Sequence, residues 1–337
     1  MRLTLAAIAF VVFFFVGHAD AKPFTVMAYN TENFFDTIHD PASDDFTWLP
    51  MATKEDMADH DEECQKIIGE FYIQQCLNLD WNKKIYKKKI QAVSRVIKSF
   101  DASGRGPDVV ILEEIENKKV LNDLVSLGFA NSGYKHAILL EGDDSRGIDV
   151  AILSRYPVVR QKRHPIIVNG EKLNTRGILE IELKVNELKV VIFGNHWPSQ
   201  QNPMAERMAS AKLLNELAHA ISADLVLAVG DFNTIRTDNP MPFQKLKGLK
   251  DAEAEARKVS KNLMPGTHYF KQKWESLDKI FVMANKKVLP MWTEFEIIAR
   301  PFMMQIEDKG PIPVRFDAAS GKGFSDHLPV GMKFIIP

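Results

Sequence analysis

The sequence predicts a single α/β domain behind a short N-terminal leader. Two local patterns indicate this fold class. Nearly continuous apolar runs such as residues 223–229 are typical of buried strands, and residues 83–100 place apolar side chains at the spacing of an amphipathic helix. The 337 residues, 45% hydrophobic and 26% charged, also show no linker-like change in composition. We therefore expect the strands and helices to share one large core.

The leader has the pattern of a secretory signal peptide. Arg2 precedes an apolar run of residues 3–17, and the small-x-small sequence Ala19-Asp20-Ala21 follows. An uncleaved anchor is the alternative, but the run is short for a membrane span. We expect residues 1–21 to be removed and residues 22–337 to form a secreted or periplasmic domain. No second run is long enough to span a bilayer, so we expect no stable membrane anchor.

The net charge of the chain excludes few classes of function. The formal net charge is −1, whereas a dedicated sequence-specific DNA-binding protein more often carries a basic excess. An enzyme with a cleft can bind nucleic acid through a local basic patch and a metal ion instead. We expect a monomer.

Residues 40–82 are acidic and irregular, which is typical of a surface insertion. A second cation site or a substrate lid is the functional alternative. The insertion contains the two cysteines of the chain, Cys64 and Cys76. Export permits a disulfide between them, and two buried free thiols are the alternative.

The remaining elements follow in chain order. We predict strands at residues 23–30, 107–112, 135–141, 149–154, 177–185, 188–194, 223–229 and 331–336, helices at 83–100 and 203–221, and a hairpin of 267–274 with 277–282. Gly230 is expected to end the strand at 223–229. We expect the helix at 83–100 to expose a solvated face formed by Lys83, Lys84, Lys87, Lys88 and Lys89, with a phosphate-backbone contact as the alternative.

Polar residues occur where the predicted strands end. They are Asn30; Glu113, Glu114 and Glu116; His196; Asp231 and Asn233; and Asp326 and His327. Each alone is explained by a turn or a helix cap. In open α/β layers, however, ligands bind beyond strand ends, so together these side chains predict one cleft. Clustered glutamates also cost energy unless a cation offsets their charge.

Several of these residues lie in recognisable sequence pieces. In order, they are Tyr29-Asn30, Leu112-Glu113-Glu114, Arg146-Gly147-Ile148-Asp149-Val150-Ala151, Asn195-His196-Trp197-Pro198, Gly230-Asp231-Phe232-Asn233, Leu277-Asp278-Lys279-Ile280 and Ser325-Asp326-His327. The chain thereby resembles, over residues 24–336, the endonuclease/exonuclease/phosphatase superfamily to which pancreatic deoxyribonuclease belongs. The resemblance implies a four-layer sandwich, in which two packed, mostly antiparallel β-sheets are flanked by helices. It also implies one metal-dependent phosphoesterase site at the rim.

The resemblance assigns a metal and a nucleophile. Glu114 is expected to be the main Mg²⁺ ligand, with Asn30 and Asp326 close to the ion, and Mn²⁺ or Ca²⁺ are alternative cations. Asp231 is expected to orient or deprotonate the attacking water, and Asn233 to bind the phosphate.

It also assigns the groups around the phosphate. His327 is expected to be the imidazole on the phosphate side, held in its tautomer by Asp278, and His196 to be the second imidazole. Asp149 is expected to orient His196. Arg146 and Arg176 are candidate phosphate contacts, because arginine binds phosphate oxygens through two parallel hydrogen bonds.

Fold alone does not settle the substrate. The superfamily includes nucleases, inositol polyphosphate phosphatases, sphingomyelinases and abasic-site repair enzymes. Export argues against DNA repair, and Trp274-Glu275-Ser276-Leu277-Asp278-Lys279 departs from the Pro-x-Trp-x-Asp-Arg pattern of the inositol phosphatases. A sphingomyelinase is expected to expose an aromatic hairpin. Met291-Trp292 and Phe302-Met303-Met304 are the candidates, and core packing explains both.

We therefore expect a Mg²⁺-dependent nuclease that hydrolyses DNA, with RNA as a second substrate. A phosphomonoesterase or a sphingomyelinase-type phospholipase is the alternative enzyme. A catalytically inactive relative that binds a partner through the same cleft is the alternative from another class.

Overall fold

A computed structural model of the chain describes residues 23–260, 262–308 and 310–337. The predicted signal peptide, residues 1–21, lies outside these residues. The strands are β1 Pro23–Phe34, β2 Val109–Ile115, β3 His136–Leu139, β4 Asp149–Ser154, β5 Val158–His164, β6 Ile167–Val168, β7 Glu171–Lys172, β8 Ile178–Val185, β9 Leu188–His196, β10 Leu225–Asp231, β11 Lys250–Asp251, β12 His268–Phe270, β13 Lys273–Glu275, β14 Asp278–Ala284, β15 Leu289–Ile297, β16 Met304–Glu307, β17 Gly310–Pro313 and β18 Val330–Ile335.

Helices connect and cover these strands. They are α1 Met51–Asp56, α2 His60–Gln65, α3 Glu70–Asn78, α4 Lys83–Lys98, α5 Lys118–Asp123, α6 Met204–Ala220 and α7 Ala252–Val259. Within the described ranges, no helix combines the length and the apolar character that a membrane crossing requires.

The described strands form two large sheets of six strands each, with the orders β15-β18-β1-β2-β4-β3 and β11-β14-β10-β9-β8-β5. Each sheet contains a central parallel pair, β1 with β2 and β9 with β10, while the other neighbours are antiparallel. Parallel strands end at the same edge of a sheet. The sequence pieces at the ends of β1, β2, β9 and β10 therefore lie at the corresponding edges of both sheets.

The two faces of the second sheet belong to different apolar clusters, as the period of two along a strand requires. Val190 and Ile192 pack into the core that also contains the first sheet and α4, whereas Val191 and Phe193 pack against Leu214 of α6. Helices thus cover the outer faces, and the predicted four-layer sandwich is confirmed.

The insertion differs from its prediction. Residues 40–82 are not irregular throughout, because they contain the short helices α1, α2 and α3. The first turn of α2 carries Asp61, Glu62 and Glu63, where negative charge interacts favourably with the helix dipole. The acidic composition therefore reflects helix starts as well as solvent exposure. Cys64 of α2 and Cys76 of α3 form a disulfide.

Three further predictions are wrong in detail. Gly230 does not end its strand, because β10 continues to Asp231. Residues 267–274 do not pair with 277–282; β12 pairs with β13, and β14 pairs with β10 and β11. Lys89 is not part of the solvated face of α4, since it is fully buried, with Nζ 3.3 Å from the backbone oxygen of Phe324.

Candidate active site

The site begins where the two sheets meet at their strand ends. Asn30 of β1 donates from Nδ2 to Oδ2 of Asp231 on β10, at 3.1 Å, and thereby joins the sheets. Gly230 makes this approach possible, because a Cβ at that position would collide with the backbone oxygen of Asn195 and lie 2.8 Å from Glu113 Oε1. Residues 201 positions apart thus share one buried hydrogen bond.

His327 and Asp278 form an ion pair beside this junction. Nδ1 of His327 lies 2.8 Å from Oδ2 of Asp278, and both side chains are buried. Burial disfavours the charged imidazole, but the charge of Asp278 and its hydrogen bond outweigh burial and hold the pKa of His327 well above its ordinary value. Ligand-type atoms of Asp231, Asp278 and His327 all lie within 4.8 Å of one another.

His196, at the end of β9, differs from His327 in its charge. Its Nε2 lies 3.7 Å from Oδ2 of Asp231 and 3.9 Å from Oε1 of Glu114. Burial, and then the positive charges of Arg176 and Arg146, lower the pKa of His196 well below its ordinary value. The site therefore combines a neutral imidazole with a charged one.

Glu114 is held in an unusual backbone conformation. Its φ is 62°, in the left-handed region that residues other than glycine rarely adopt. Such a residue costs about 1–3 kcal/mol and persists only where its surroundings fix it. Here the carboxylate accepts a hydrogen bond of 2.7 Å from the backbone N–H of Asn33, which turns Glu114 toward the strand ends.

Asp231 is fixed by the chain that follows it. The backbone N–H of Asn233 donates to Asp231 Oδ1 at 2.8 Å, and the Asn233 side chain donates to the backbone oxygen of Trp197 at 3.0 Å. Burial raises the pKa of Asp231 to about 7; the charge of His327 opposes this rise and the charge of Asp278 adds to it.

Asp326 lies beside Glu32, His268 and Arg315. Its backbone N–H donates to Oε2 of Glu32 at 3.0 Å, and its Oδ2 lies 3.9 Å from Arg315 and 4.0 Å from Nε2 of His268. Burial opposes ionisation, but the charges of His327 and Arg315 outweigh it and lower the pKa of Asp326. Asp326 is therefore an ionised carboxylate at the edge of the site.

Arg146 and Arg176 are held together by a residue that sequence reasoning did not single out. Asp144 lies 3.2 Å from Nε of Arg146 and 3.2 Å from Nη1 of Arg176. Both guanidinium groups are near enough to His196 to lower its pKa. Asp144 thus positions two guanidinium groups at one side of the strand ends.

The structure contradicts one predicted role. Asp149 does not hold His196, because Asp149 Oδ1 accepts a hydrogen bond of 2.8 Å from the backbone N–H of Gly142. Nδ1 of His196 has no hydrogen-bond partner among the described residues. Asp149 instead closes the loop that carries Asp144 and Arg146, which is why its sequence piece looks like part of the site.

The family model described as "Endonuclease/Exonuclease/phosphatase family" matches residues 55–335. The chain belongs to this family. Members of the endonuclease/exonuclease/phosphatase family are generally hydrolases of phosphoester bonds, and they typically depend on a divalent metal. No curated protein sequence matches the chain.

Solved structures of the family show the same fold at low sequence identity. A family protein from Bacteroides thetaiotaomicron is 16% identical, with a TM-score of 0.56 over 94% of this chain and 98% of that one. Truncated TDP2 from Caenorhabditis elegans is 17% identical, with a TM-score of 0.53 over 93% and 97% of the two chains. Beta toxin from Staphylococcus aureus is 17% identical, with a TM-score of 0.53 over 92% and 99%.

The side chains present fit the divalent metal that the family implies. Glu113 is fully buried beside the strand ends, and neither of its carboxylate oxygens has a hydrogen-bond partner among the described residues. Such a concentration of buried acid groups is costly unless a cation offsets it. Glu114, Asn30 and Asp326 offer the oxygen ligands that a hard cation prefers, and they would hold it. When bound, the ion would polarise a phosphoryl oxygen and stabilise charge on the leaving group.

Two buried residues of this family member were missed from the sequence. Glu32 accepts hydrogen bonds from the backbone of Asp326 and pairs with Arg315. Lys89 approaches the same carboxylates from α4, and burial lowers the pKa of Lys89 to about 8 while the charge of Glu32 opposes that change. Glu32 lies two residues after Asn30, so its position in the first sequence piece was an available signal. Lys89 also had a signal, because it follows Tyr86 by three residues and precedes Val93 by four, which places it on the apolar side of α4.

Proposed function

We propose that the protein is a Mg²⁺-dependent phosphodiesterase, and specifically a nuclease that hydrolyses DNA, with RNA as a second substrate. The observation that carries the proposal is the buried cluster of Asp231, Asp278 and His327, with Asn30 bonded to Asp231. A carboxylate base, a charged imidazole and nearby guanidinium groups are the groups that phosphodiester hydrolysis requires.

Asp231 is suited to accept the proton of the attacking water. Asn30 and the backbone of Asn233 fix the orientation of its carboxylate. As the water oxygen bonds to phosphorus and the bond to the leaving oxygen breaks, one proton passes to Asp231. The leaving oxygen then takes a proton from solvent.

The positive groups act on the phosphate. His327 is charged through its pairing with Asp278, so its other ring nitrogen is a donor for a phosphate oxygen on which charge develops. Arg146 and Arg176, held by Asp144, would bind the non-bridging oxygens, and Asn233 would contact the same phosphate. His196 is neutral and would donate one hydrogen bond without adding charge.

Packing argues against two candidate segments for docking on a membrane lipid. The guanidinium of Arg95 lies 4.0 Å from the ring centroid of Phe302, and Met303 is buried. Trp292 is partly buried against the core. The two candidate segments for lipid docking, Met291-Trp292 and Phe302-Met303-Met304, are therefore used in packing.

We also propose that residues 1–21 direct export and are removed, so that the enzyme acts as a secreted or periplasmic monomer without a stable membrane anchor. The apolar run and the small-residue sequence after it support this proposal.

A substrate panel tests the proposed activity. The enzyme is incubated with plasmid DNA, RNA, sphingomyelin or inositol phosphates in Mg²⁺, Mn²⁺, Ca²⁺ or EDTA. We expect acid-soluble nucleotides to be released with metal and not with EDTA. Release of choline phosphate without cleavage of nucleic acid would replace the nuclease with a sphingomyelinase. Release of phosphate from inositol phosphates alone would indicate the phosphomonoesterase.

A further inference from the structure

A short hairpin carries a row of neighbouring rings away from the site. β12 and β13 pair with His268 opposite Glu275 and Phe270 opposite Lys273. The ring of His268 lies with its centroid 4.6 Å from that of His327, and the Phe270 ring is stacked on His268 at 6.1 Å. Alternate residues of a strand share one face, so His268 and Phe270 extend together from His327 toward the tip of the hairpin.

The other face of the hairpin anchors it to the protein. Tyr269 and Trp274 pack on each other with ring centroids 5.3 Å apart, and Trp274 contacts the core. At the base of the hairpin, the hydroxyl of Thr267 accepts hydrogen bonds of 3.1 Å from the backbone of Leu277 and of Asp278. The backbone oxygen of Thr267 also accepts from Leu328. The ring row is therefore fixed relative to both members of the His327–Asp278 pair.

The end of the row is exposed and positively charged. Phe270 is 62% exposed, and Nζ of Lys271 lies 5.2 Å from its ring centroid. Lys271 and Gln272 form the two-residue turn with φ values of 47° and 63°. These left-handed values are those of the tight hairpin turns that usually contain glycine or asparagine. The hairpin thus holds an aromatic ring and two lysines, Lys271 and Lys273, in solvent beside the site.

We propose that Phe270, supported from behind by His268, forms a stacking subsite for an unpaired nucleobase of the bound strand near the site, with Lys271 and Lys273 contacting the adjacent backbone. This inference rests on the proposed nuclease function. Aromatic rings flanked by basic side chains bind single strands, because every base offers a π-face and the backbone is anionic. A base within a duplex has both faces covered by its neighbours and is not free to stack on a side chain. The subsite therefore takes a single strand, or an unpaired end or loop.

The surroundings of Phe270 favour a nucleobase over a lipid surface. At the tip of the hairpin Phe270 is flanked by Lys271, Gln272 and Lys273. Membrane docking requires a contiguous apolar area. The Phe270 ring, the last in the row that begins at His327, presents one planar face, which fits the face of one nucleobase.

The test compares Phe270→Ala and Phe270→Trp with the wild type on a single-stranded DNA oligonucleotide, the duplex of the same sequence, and bis(p-nitrophenyl) phosphate. Leu289→Ala is the control. Leu289 is 59% exposed and lies opposite Ile335, at the end of the sheet where β1 begins. We expect Phe270→Ala to raise KM for the single strand about tenfold and to leave its kcat within about twofold. Phe270→Trp should have the KM of the wild type for the single strand. Hydrolysis of the duplex and of bis(p-nitrophenyl) phosphate should change little in both variants.

Binding in EDTA, measured by fluorescence anisotropy of the labelled single strand, separates this inference from the proposed function. A wild-type enzyme that neither cleaves nor binds the oligonucleotide would overturn the nuclease and the subsite together. Cleavage with unchanged KM and Kd in Phe270→Ala would overturn the subsite alone. Wild-type binding to phosphatidylglycerol vesicles that Phe270→Ala abolishes, with oligonucleotide binding intact, would assign the hairpin to a lipid surface and also overturn the subsite.

Discussion

His327 Nδ1 lies 2.8 Å from Asp278 Oδ2, although the two residues are 49 positions apart in the chain. β14 begins at Asp278 and pairs with β10 so that Asp278 is opposite Asp231. The register of one strand pair therefore places the imidazole partner and the proposed base side by side.

This relationship predicts the effect of Asp278→Asn. Without the carboxylate, His327 loses the charge that keeps it protonated, so we expect kcat to fall by about 10² to 10⁴ while KM changes little. The same substitution at Asp224, which pairs with Lys287 on the surface, is the control and should leave both parameters unchanged. Steady-state kinetics with circular dichroism check the result. A folded Asp278→Asn enzyme with wild-type kcat would remove the proposed role of the pair.

The raised pKa of Asp231 predicts that activity depends on both pH and Mg²⁺ concentration. Burial raises its pKa to about 7, so the carboxylate is protonated below that pH and deprotonated above it. A base must be deprotonated, and activity should fall as pH decreases through the pKa. A Mg²⁺ ion bound near Asp231 favours its ionised form, so higher Mg²⁺ should move the acidic limb to lower pH. Profiles of kcat/KM against pH at two Mg²⁺ concentrations check this. An acidic limb that does not move with Mg²⁺ would contradict it.

Gln200 links two loops of the site. Its Nε2 lies 2.5 Å from the backbone oxygen of Asn233 and 3.3 Å from Asp238. We expect Gln200→Ala to lower kcat about tenfold, because small displacements of groups at a reacting centre are costly. The neighbouring exposed Gln201→Ala is the matched control. Unchanged kcat in Gln200→Ala, with an unchanged melting temperature, would show that this link does not position Asn233.

We expect the disulfide to contribute to stability and not to catalysis. Cys64 and Cys76 close a loop with a sequence separation of 12, and a loop of this size contributes about 3 kcal/mol in the chain-entropy model. The double variant Cys64→Ala/Cys76→Ala should lose up to this free energy of unfolding in a urea titration. It should keep kcat, because His196, Asp231 and Asp278 lie on β9, β10 and β14, outside the insertion. A loss of activity without a loss of stability would instead assign the insertion to the site.

The sequence indicated these polar positions because local signals coincide there. Buried strands read as apolar runs, and a polar residue directly after such a run is conspicuous, as with Asn30, Glu114 and Asp231. The exact strand limits and partners were less predictable. Residues 267–274 and 277–282 have the pattern of paired strands, yet pairing with β10 decides where Asp278 lies. That choice depends on contacts between distant parts of the chain.

Contacts between distant parts of the chain also explain why the roles of some residues were not predicted. The run of lysines concealed that Lys89 lies on the apolar side of α4, and its proximity to the charges of Glu32 and Asp326 depends on residues that are distant in sequence. Asp149 follows a loop that belongs to the site, and only the structure shows that it bonds Gly142. His268 and Phe270 have the pattern of an ordinary strand, and only the structure shows the His268 ring against His327 and the Phe270 ring stacked on His268.

The central claim is that these strand ends hold one divalent cation beside the scissile phosphate. Anomalous diffraction from crystals soaked in Mn²⁺ tests it most directly. We predict one strong peak in contact with the carboxylate of Glu114, near Asn30 and Asp326, that is absent in Glu114→Ala crystals. A peak between Asp231, Asp278 and His327 that Glu114→Ala leaves in place, or no peak at the strand ends, would contradict the claim.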